Sequence, residues 1–491
     1  MTEHRFSDWL FLRVLGVVYL CAYASLIPQI VGLFGEHGIL PAGAADATLR
    51  GVCIAGALVS IALIAGVAPI VTVPLLWLGY WWLSNACAEF LGYQWDALLL
   101  ETGLLATLVA PVVWRDRARD GFDPPRPAVW LMLWLLFRLM FGSGAVKLAS
   151  GDPTWRNLTA MTFHYETQPI PNPVAYYMHH VPVAFNKAST AVTLAIELAA
   201  PFLIVGPRRL RLVAAGLLVG LQMLVAATGN FAFFNLLSIA LCVWLVDDEA
   251  WKAAIARVSA TGLVPSTGSG RAWRGPRTAS HGRFRRTASI AAAIVIVPVS
   301  LLHFTSSLGF LLPGWQIAAP IAEVVAPLRS VNSYGLFAVM TTTRPEIIVE
   351  GSNDGTTWMA YEFSYKPGEL TRRPPFVAPH QPRLDWQMWF AALGRYEENG
   401  WFQNFCARLL EGSPDVLRLL ARDPFNGRPP RYIRAELYEY RFARSAEGHP
   451  TAHSPRGGDP VASRSSNSES CPRCWWTRER LGAYSPVISL R

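Results

Sequence analysis

Long apolar runs dominate this chain, and ionisable residues are almost absent from them. From Trp9 to Trp114, and again from Ala128 to Val246, stretches able to cross a bilayer follow one another with few charges between. A helix crosses about 30 Å of hydrocarbon with roughly 20 apolar residues. That length places candidate spans near Trp9–Phe34, Gly51–Ala68, Ile70–Asn85, Tyr93–Trp114, Ala128–Ala149, Lys187–Val205, Leu210–Ala227, Phe231–Val246 and Ser289–Phe310. The pattern therefore predicts about nine spans. Leu311–Leu328 is apolar but broken by Pro313, Pro320 and Pro327, so it is expected to lie along the interface rather than cross.

Beyond Val331 the pattern becomes that of a soluble domain. Ala338–Thr343, Glu346–Glu350 and Trp358–Phe363 are β-branched or aromatic with partial alternation, and Asn353-Asp354-Gly355 is a hairpin-turn signal. Arg383–Leu393 and Asn399–Leu410 read as helices with aromatic faces, and Tyr432–Phe442 as a further strand. The fold class is a polytopic α-helical membrane protein followed by a small β-rich or mixed soluble domain. Its expected divisions are a bundle over 1–260 with an outer loop at 150–186, a flexible Gly-, Ser- and Arg-rich cytoplasmic loop at 261–287, a last span and interfacial segment at 288–330, a non-cytoplasmic domain at 331–445 and a disordered tail at 446–491.

Composition agrees: 52% of the 491 residues are hydrophobic and 16% charged, against roughly 25% charged in soluble domains. The net charge of +9 does not signal nucleic acid, because the arginines cluster between spans and in the tail. Arg115, Arg117 and Arg119 follow the fourth span, Arg208, Arg209 and Arg211 the sixth, and Arg271 to Arg286 the eighth. Those loops fall on one side, which the excess of basic residues marks as cytoplasmic. The first apolar stretch is too long for a cleavable signal peptide and lacks a small-residue cleavage site, so it reads as a signal anchor. Seven cysteines form no disulfide framework, and Cys471-Pro472-Arg473-Cys474 reads as a chance pair in a tail.

Five charges sit inside the apolar stretches: Asp96, Glu101, Arg138, Lys147 and Glu197. An ionised group in hydrocarbon needs a partner or a wet cavity. Depth matching along the fourth and fifth spans pairs Asp96 with Lys147 and lets Arg138 bridge Glu101 and Glu197. Either these are ion pairs that hold the bundle, or they line a polar cavity open to the outer face.

The loop after the fifth span carries Asp152 as an N-cap before Pro153, then Trp155, Arg156, His164, Tyr165 and Glu166, and His179 and His180 further on. The spacing matches no standard metal-ligand pattern, so neither metal nor cofactor is expected. Asn157-Leu158-Thr159 is a glycosylation sequon. In the soluble part His380, Arg383, Trp386 and Trp389 form a Pro- and aromatic-rich candidate surface for an apolar client.

Four segments together resemble the lipase maturation factor family: Gln94-Trp95-Asp96-Ala97-Leu98-Leu99-Leu100-Glu101-Thr102-Gly103, Gly151-Asp152-Pro153-Thr154-Trp155-Arg156, His164 to Pro173, and Pro375 to Leu393. The resemblance covers roughly Trp9 to Ala443. It implies an endoplasmic reticulum membrane factor needed for dimeric lipases to fold, assemble and leave that compartment. The implied partners are membrane lipid and a secreted lipase or other exported client. The ending Val487-Ile488-Ser489-Leu490-Arg491 is not a lumenal retention signal, and the Arg- and Ala-rich composition suits a bacterium. The expected location is therefore the endoplasmic reticulum membrane in a eukaryote or the inner membrane in a bacterium. The alternative is a membrane enzyme acting on a lipid or quinone-linked substrate, by architectural analogy to vitamin K-dependent carboxylases. Convergence of Asp96, Glu101, Lys147, His164 and Glu166 on a cavity would favour the enzyme. Dry ion pairs among them would favour the folding factor.

Overall fold

The computed structural model describes residues 3–118, 122–260, 282–444 and 474–490. Among the described residues nine helices build the bundle: α1 Arg5–Leu26, α2 Asp46–Ile64, α3 Pro69–Ala86, α4 Gln94–Val109, α5 Arg126–Ala149, α6 Val183–Ala199, α7 Arg208–Thr228, α8 Phe234–Cys242 and α9 Gly282–Ser307. Prolines mark their borders, as at Pro69, Pro125 and Pro207, where a missing N–H falls on a turn that has no use for it. In α2 the small residues Cys53, Gly56 and Ser60 face inward, while Ile54, Leu58 and Ile61 face outward. That reverses the pattern of a soluble helix and suits contact with lipid.

Among the described residues six helices are long and apolar enough to cross a membrane: α1, α2, α5, α6 with its 3₁₀ continuation to Val205, α7 and α9. The remaining three, α3, α4 and α8, fall outside that set, so length and composition give six spans rather than about nine. Helix α4, with 16 residues, is surrounded by α1, α3, α5, α8 and α9. A helix inside protein need not match the bilayer thickness, because its ends meet protein groups instead of lipid. After α9, α10 (Trp315–Val325) is an apolar helix with Ile317 and Val324 exposed.

One end of the bundle is rich in arginine. There Arg13 pairs with Asp116 at 2.8 Å, Arg208 with Asp247 at 3.0 Å, and Asp248 accepts the backbone N–H groups of Arg5 and Phe6. The opposite end carries the C-terminal domain. Its main sheet has the antiparallel order β2-β1-β5-β6, formed by β1 Pro345–Ser352, β2 Met359–Ala360, β5 Tyr432–Phe442 and β6 Trp476–Ala483. A second ribbon pairs β3 (Glu362–Phe363) with β4 (Leu420–Arg422). Helices α11 (Arg383–Leu393) and α12 (Gly400–Glu411) complete the domain.

The hairpin expected at Asn353–Gly355 is present as β1–β2, and both helices and the late strand lie where the pattern placed them. Two expectations change. Ala338–Thr343 is a connection and not a strand, because the Met340 N–H is bonded to the Asp152 carboxylate at 2.6 Å and not to a ladder. The tail at 446–491 is not disordered throughout: residues 476–483 pair with β5 from Phe442 to Glu436, and Trp476 is buried. Residues 261–281 and Cys471 lie outside the described residues; Cys474 is disulfide-bonded.

Candidate functional site

The C-terminal domain is joined to the bundle by buried polar groups, and most of the sequence-predicted residues belong to that joint. Asp96 stands in the first turn of α4. Its carboxylate takes both arms of the Arg383 guanidinium, each at 2.9 Å, and a hydroxyl hydrogen bond from Tyr80. Arg383 is 0% and Asp96 1% exposed. A planar fork on a carboxylate is the strongest geometry available to such a pair. Asp96 is thus bound to Arg383 and not, as depth matching implied, to Lys147. Arg383 is in turn removed from any client-facing surface. His380 is held the same way, its Nδ1 3.0 Å from the Ser25 hydroxyl.

Lys147 donates instead to both oxygens of Glu197, at 2.7 and 2.8 Å, beneath the Trp155 ring. Arg138 pairs with Glu101 and does not bridge to Glu197. Glu101 also accepts the Tyr334 hydroxyl at 2.8 Å and the Asn332 N–H at 3.1 Å, while Arg138 donates to the Asn332 carbonyl at 2.8 Å. The connection after α10 therefore enters the bundle and completes this cluster. Gly142 permits it, since a Cβ there would stand 2.8 Å from the Tyr334 carbonyl.

The outer loop forms three short helices, Pro153–Arg156, Ala160–Thr167 and Pro173–His179. Asp152 caps the first through the Thr154 N–H at 2.7 Å, as its position before Pro153 predicted. Trp155 is buried and donates to the Phe337 carbonyl at 3.0 Å; Arg156 and Asn157 are exposed. His164 packs against Phe231 and Phe337, and Tyr165 is buried next to it. Burial, reinforced by the Lys147 charge, pushes the His164 imidazole down to about 4. Glu166 accepts the Phe442 N–H at 2.6 Å, and burial raises its carboxyl. Burial and His180 hold His179 at about 4, so its 3.7 Å approach to Glu166 is no ion pair at neutral pH. No group of three potential metal ligands occurs among the described residues.

Between these clusters lies an apolar recess of about 500 Å³. Its walls are the rings of Tyr93, Trp95, Phe231, Trp386, Trp389 and Phe390, and its floor is the backbone from Gly335 to Thr341. Trp386 and Trp389 are buried in the joint rather than displayed, and Trp389 donates to the Thr167 carbonyl at 2.9 Å. The exposed side chains at the mouth are Val339, Phe390 and Leu393, at 67%, 43% and 45%. Phe337 holds φ at +54°, a strained conformation for a bulky residue that tends to persist at functional sites. A second cavity of about 360 Å³ shares Gln94, Gly335 and Ala338 with the first. None of Asp96, Glu101, Lys147, His164 or Glu166 lines either one.

Sequence reasoning missed Tyr80, Asn230, Phe337 and Arg344. Arg344 is fully buried, pairs with Glu346 at 2.8 Å and donates to the Pro169 carbonyl at 2.8 Å. Asn230 bonds the Pro375 carbonyl and the Val377 N–H, each at 2.8 Å. Each bridges segments more than a hundred residues apart, so no local spacing could reveal its role.

The model of the lipase maturation factor transmembrane domain matches residues 6–45 and 42–253, and that of the lipase maturation factor C-terminal domain matches 330–455. Lipase maturation factor 2 of Xenopus tropicalis is 35% identical over 613 aligned positions, covering 100% of this chain and 83% of the relative. The human lipase maturation factor 2 is also 35% identical, covering 100% and 84%. Human lipase maturation factor 1 is 34% identical, covering 88% and 73%. No solved structure matches.

Proposed function

The chain belongs to the lipase maturation factor family and is an integral membrane protein, and from that premise we propose that it assists the folding and assembly of secreted lipases or similar exported clients. The relatives' names supply the client class. The observation that carries the site is the aromatic recess at the joint, whose mouth exposes Val339, Phe390 and Leu393 to an incoming apolar segment. A rigid ring-lined pocket takes large apolar side chains, which dominate protein contacts. Shielding such side chains until the client has folded needs neither nucleophile nor cofactor. The neighbouring charges are satisfied by one another, so they favour a binding surface over a reaction centre, and no observation favours the enzymatic alternative.

In this reading the arginine-rich end faces the cytoplasm. The recess and the C-terminal domain, residues 331–444 with 474–490, then face the lumen of the endoplasmic reticulum or the bacterial periplasm. Asp152, Trp155, Arg156, His164, Tyr165 and Glu166 shape the outer loop beside the recess, and Arg383, Trp386 and Trp389 hold its far wall. Replacing Val339, Phe390 and Leu393 together by Ser in the native host tests the site. An apolar anchor at the centre of an interface contributes about 2 kcal/mol, so active secreted lipase should fall at least about tenfold, with the variant still present in the membrane. Unchanged lipase activity would remove the recess from the account.

A further inference from the structure

At the arginine-rich end, away from the recess, α5 and α9 part to leave a groove of about 790 Å³. Arg126 and Arg286 stand on its rim, each in the first turn or so of its helix and each exposed. Neither is in an ion pair among the described residues. Asp123 is on the same rim, which leaves a net positive charge. One face of α5 descends from that rim through Trp130, Trp134, Phe137 and Phe141, spaced by four, four, three and four residues from Arg126. Such spacing puts all of them on one stripe of the helix. The Trp134 indole is fixed by its bond to the Ser300 hydroxyl at 2.9 Å.

At Trp130 and Trp134 the groove adjoins a second, almost wholly apolar one of about 230 Å³, lined by Trp130, Trp134, Phe137, Phe202 and Val205. Phe202 meets Phe137 edge-on at 5.4 Å, and both Phe202 and Val205 are exposed on the outside of the bundle. Cations at the rim, with indoles and an apolar furrow running from Trp130 to Phe137 along α5, follow the order of a phospholipid from phosphate to acyl chain.

We propose that this groove holds one anionic glycerophospholipid, its phosphodiester between Arg126 and Arg286 and an acyl chain along Trp134, Phe137 and Phe202. The guanidinium forks suit phosphate oxygens, and the furrow distinguishes a lipid from a free anion. The site is independent of the client-binding reading, since it lies at the other end of the bundle and shares no residue with the recess.

The test uses the full chain in detergent micelles with equal amounts of phosphatidylglycerol and phosphatidylcholine of the same acyl length, and counts retained lipid by native mass spectrometry. The expected result is preferential retention of one phosphatidylglycerol. Each basic residue near the headgroups is worth roughly fivefold, so the R126Q/R286Q double variant should lower the preference by about 25-fold. Its thermal unfolding should match the wild type, because both side chains are at the surface. Equal retention of the two lipids by the wild type, or an undiminished preference in the double variant, would overturn the site. Displacement of the lipid by excess inorganic phosphate would do so as well, by marking a free-anion site.

Discussion

Arg383 has no contact with solvent, and neither has the carboxylate it grips. Removing one partner of such a pair leaves the other charged and unsolvated, which costs about 3–5 kcal/mol. Arg383→Met and Asp96→Asn should each lower stability by that order, read as thermal loss of the monodisperse protein in detergent. The double substitution Asp96→Leu with Arg383→Met should lose much less than the sum, because it leaves no orphan charge. Additive losses would show that the pair acts only through packing. His164 makes a prediction in pH. Its imidazole sits near 4 in the fold against an ordinary 6.5, so between those values the unfolded chain binds the extra proton. Stability from this residue is therefore complete above about 6.5 and is lost as pH falls towards 4. His179 is lowered in the same sense, so the wild type should destabilise steadily across that window. His164→Phe should flatten part of the slope while keeping the ring contacts with Phe231 and Phe337; an unchanged slope would assign the effect elsewhere.

At the scale of elements, what could be read in advance was what a local pattern determines. The apolar runs located every bundle helix, and Asn353-Asp354-Gly355 located the β1–β2 hairpin, since the turn needs those residues and little else. The partners of the buried charges could not be read this way. Depth matching treated α4 and α5 as an isolated hairpin and so gave Asp96 to Lys147. The actual partner, Arg383, arrives from the start of a helix 287 residues later. Strand β6 was illegible for another reason. Trp476 is its one fully buried residue, and Arg478, Glu479 and Arg480 point outward along a sheet edge. Charge is what protects an edge strand from pairing with other chains, and it makes such a strand read as a polar tail. The recess was half legible: Trp386 and Trp389 announced an aromatic surface, but the wall they share with Tyr93, Trp95 and Phe231 exists only once the domain is docked.

For the whole molecule, the joint between bundle and domain constrains how the chain threads the membrane. Four loops of the bundle touch the C-terminal domain: Gly38 through Arg408, Phe90 through Arg383, Glu166 through Phe442, and Asn230 through Val377. Two bundle helices separate each of these loops from the next, α2 and α3, then α4 and α5, then α6 and α7. The chain must therefore return to the same end after every pair, and α8 with α9 returns it once more before the domain begins. Counting α1, the described helices pass nine times between the two ends of the bundle, and six of those passages are long and apolar enough to cross a membrane. Single cysteines can test this, because Cys53, Cys87, Cys242 and Cys406 are buried and Cys21 is partly so. New cysteines at the exposed positions Glu36, Asn157 and Glu397 should react with an impermeant maleimide from the side opposite to those at Arg115 and Arg209. If Asn157 and Glu397 labelled from different sides, an odd number of crossings would separate the recess from its own far wall. The docked arrangement of Asp96 with Arg383 would then be impossible in a bilayer.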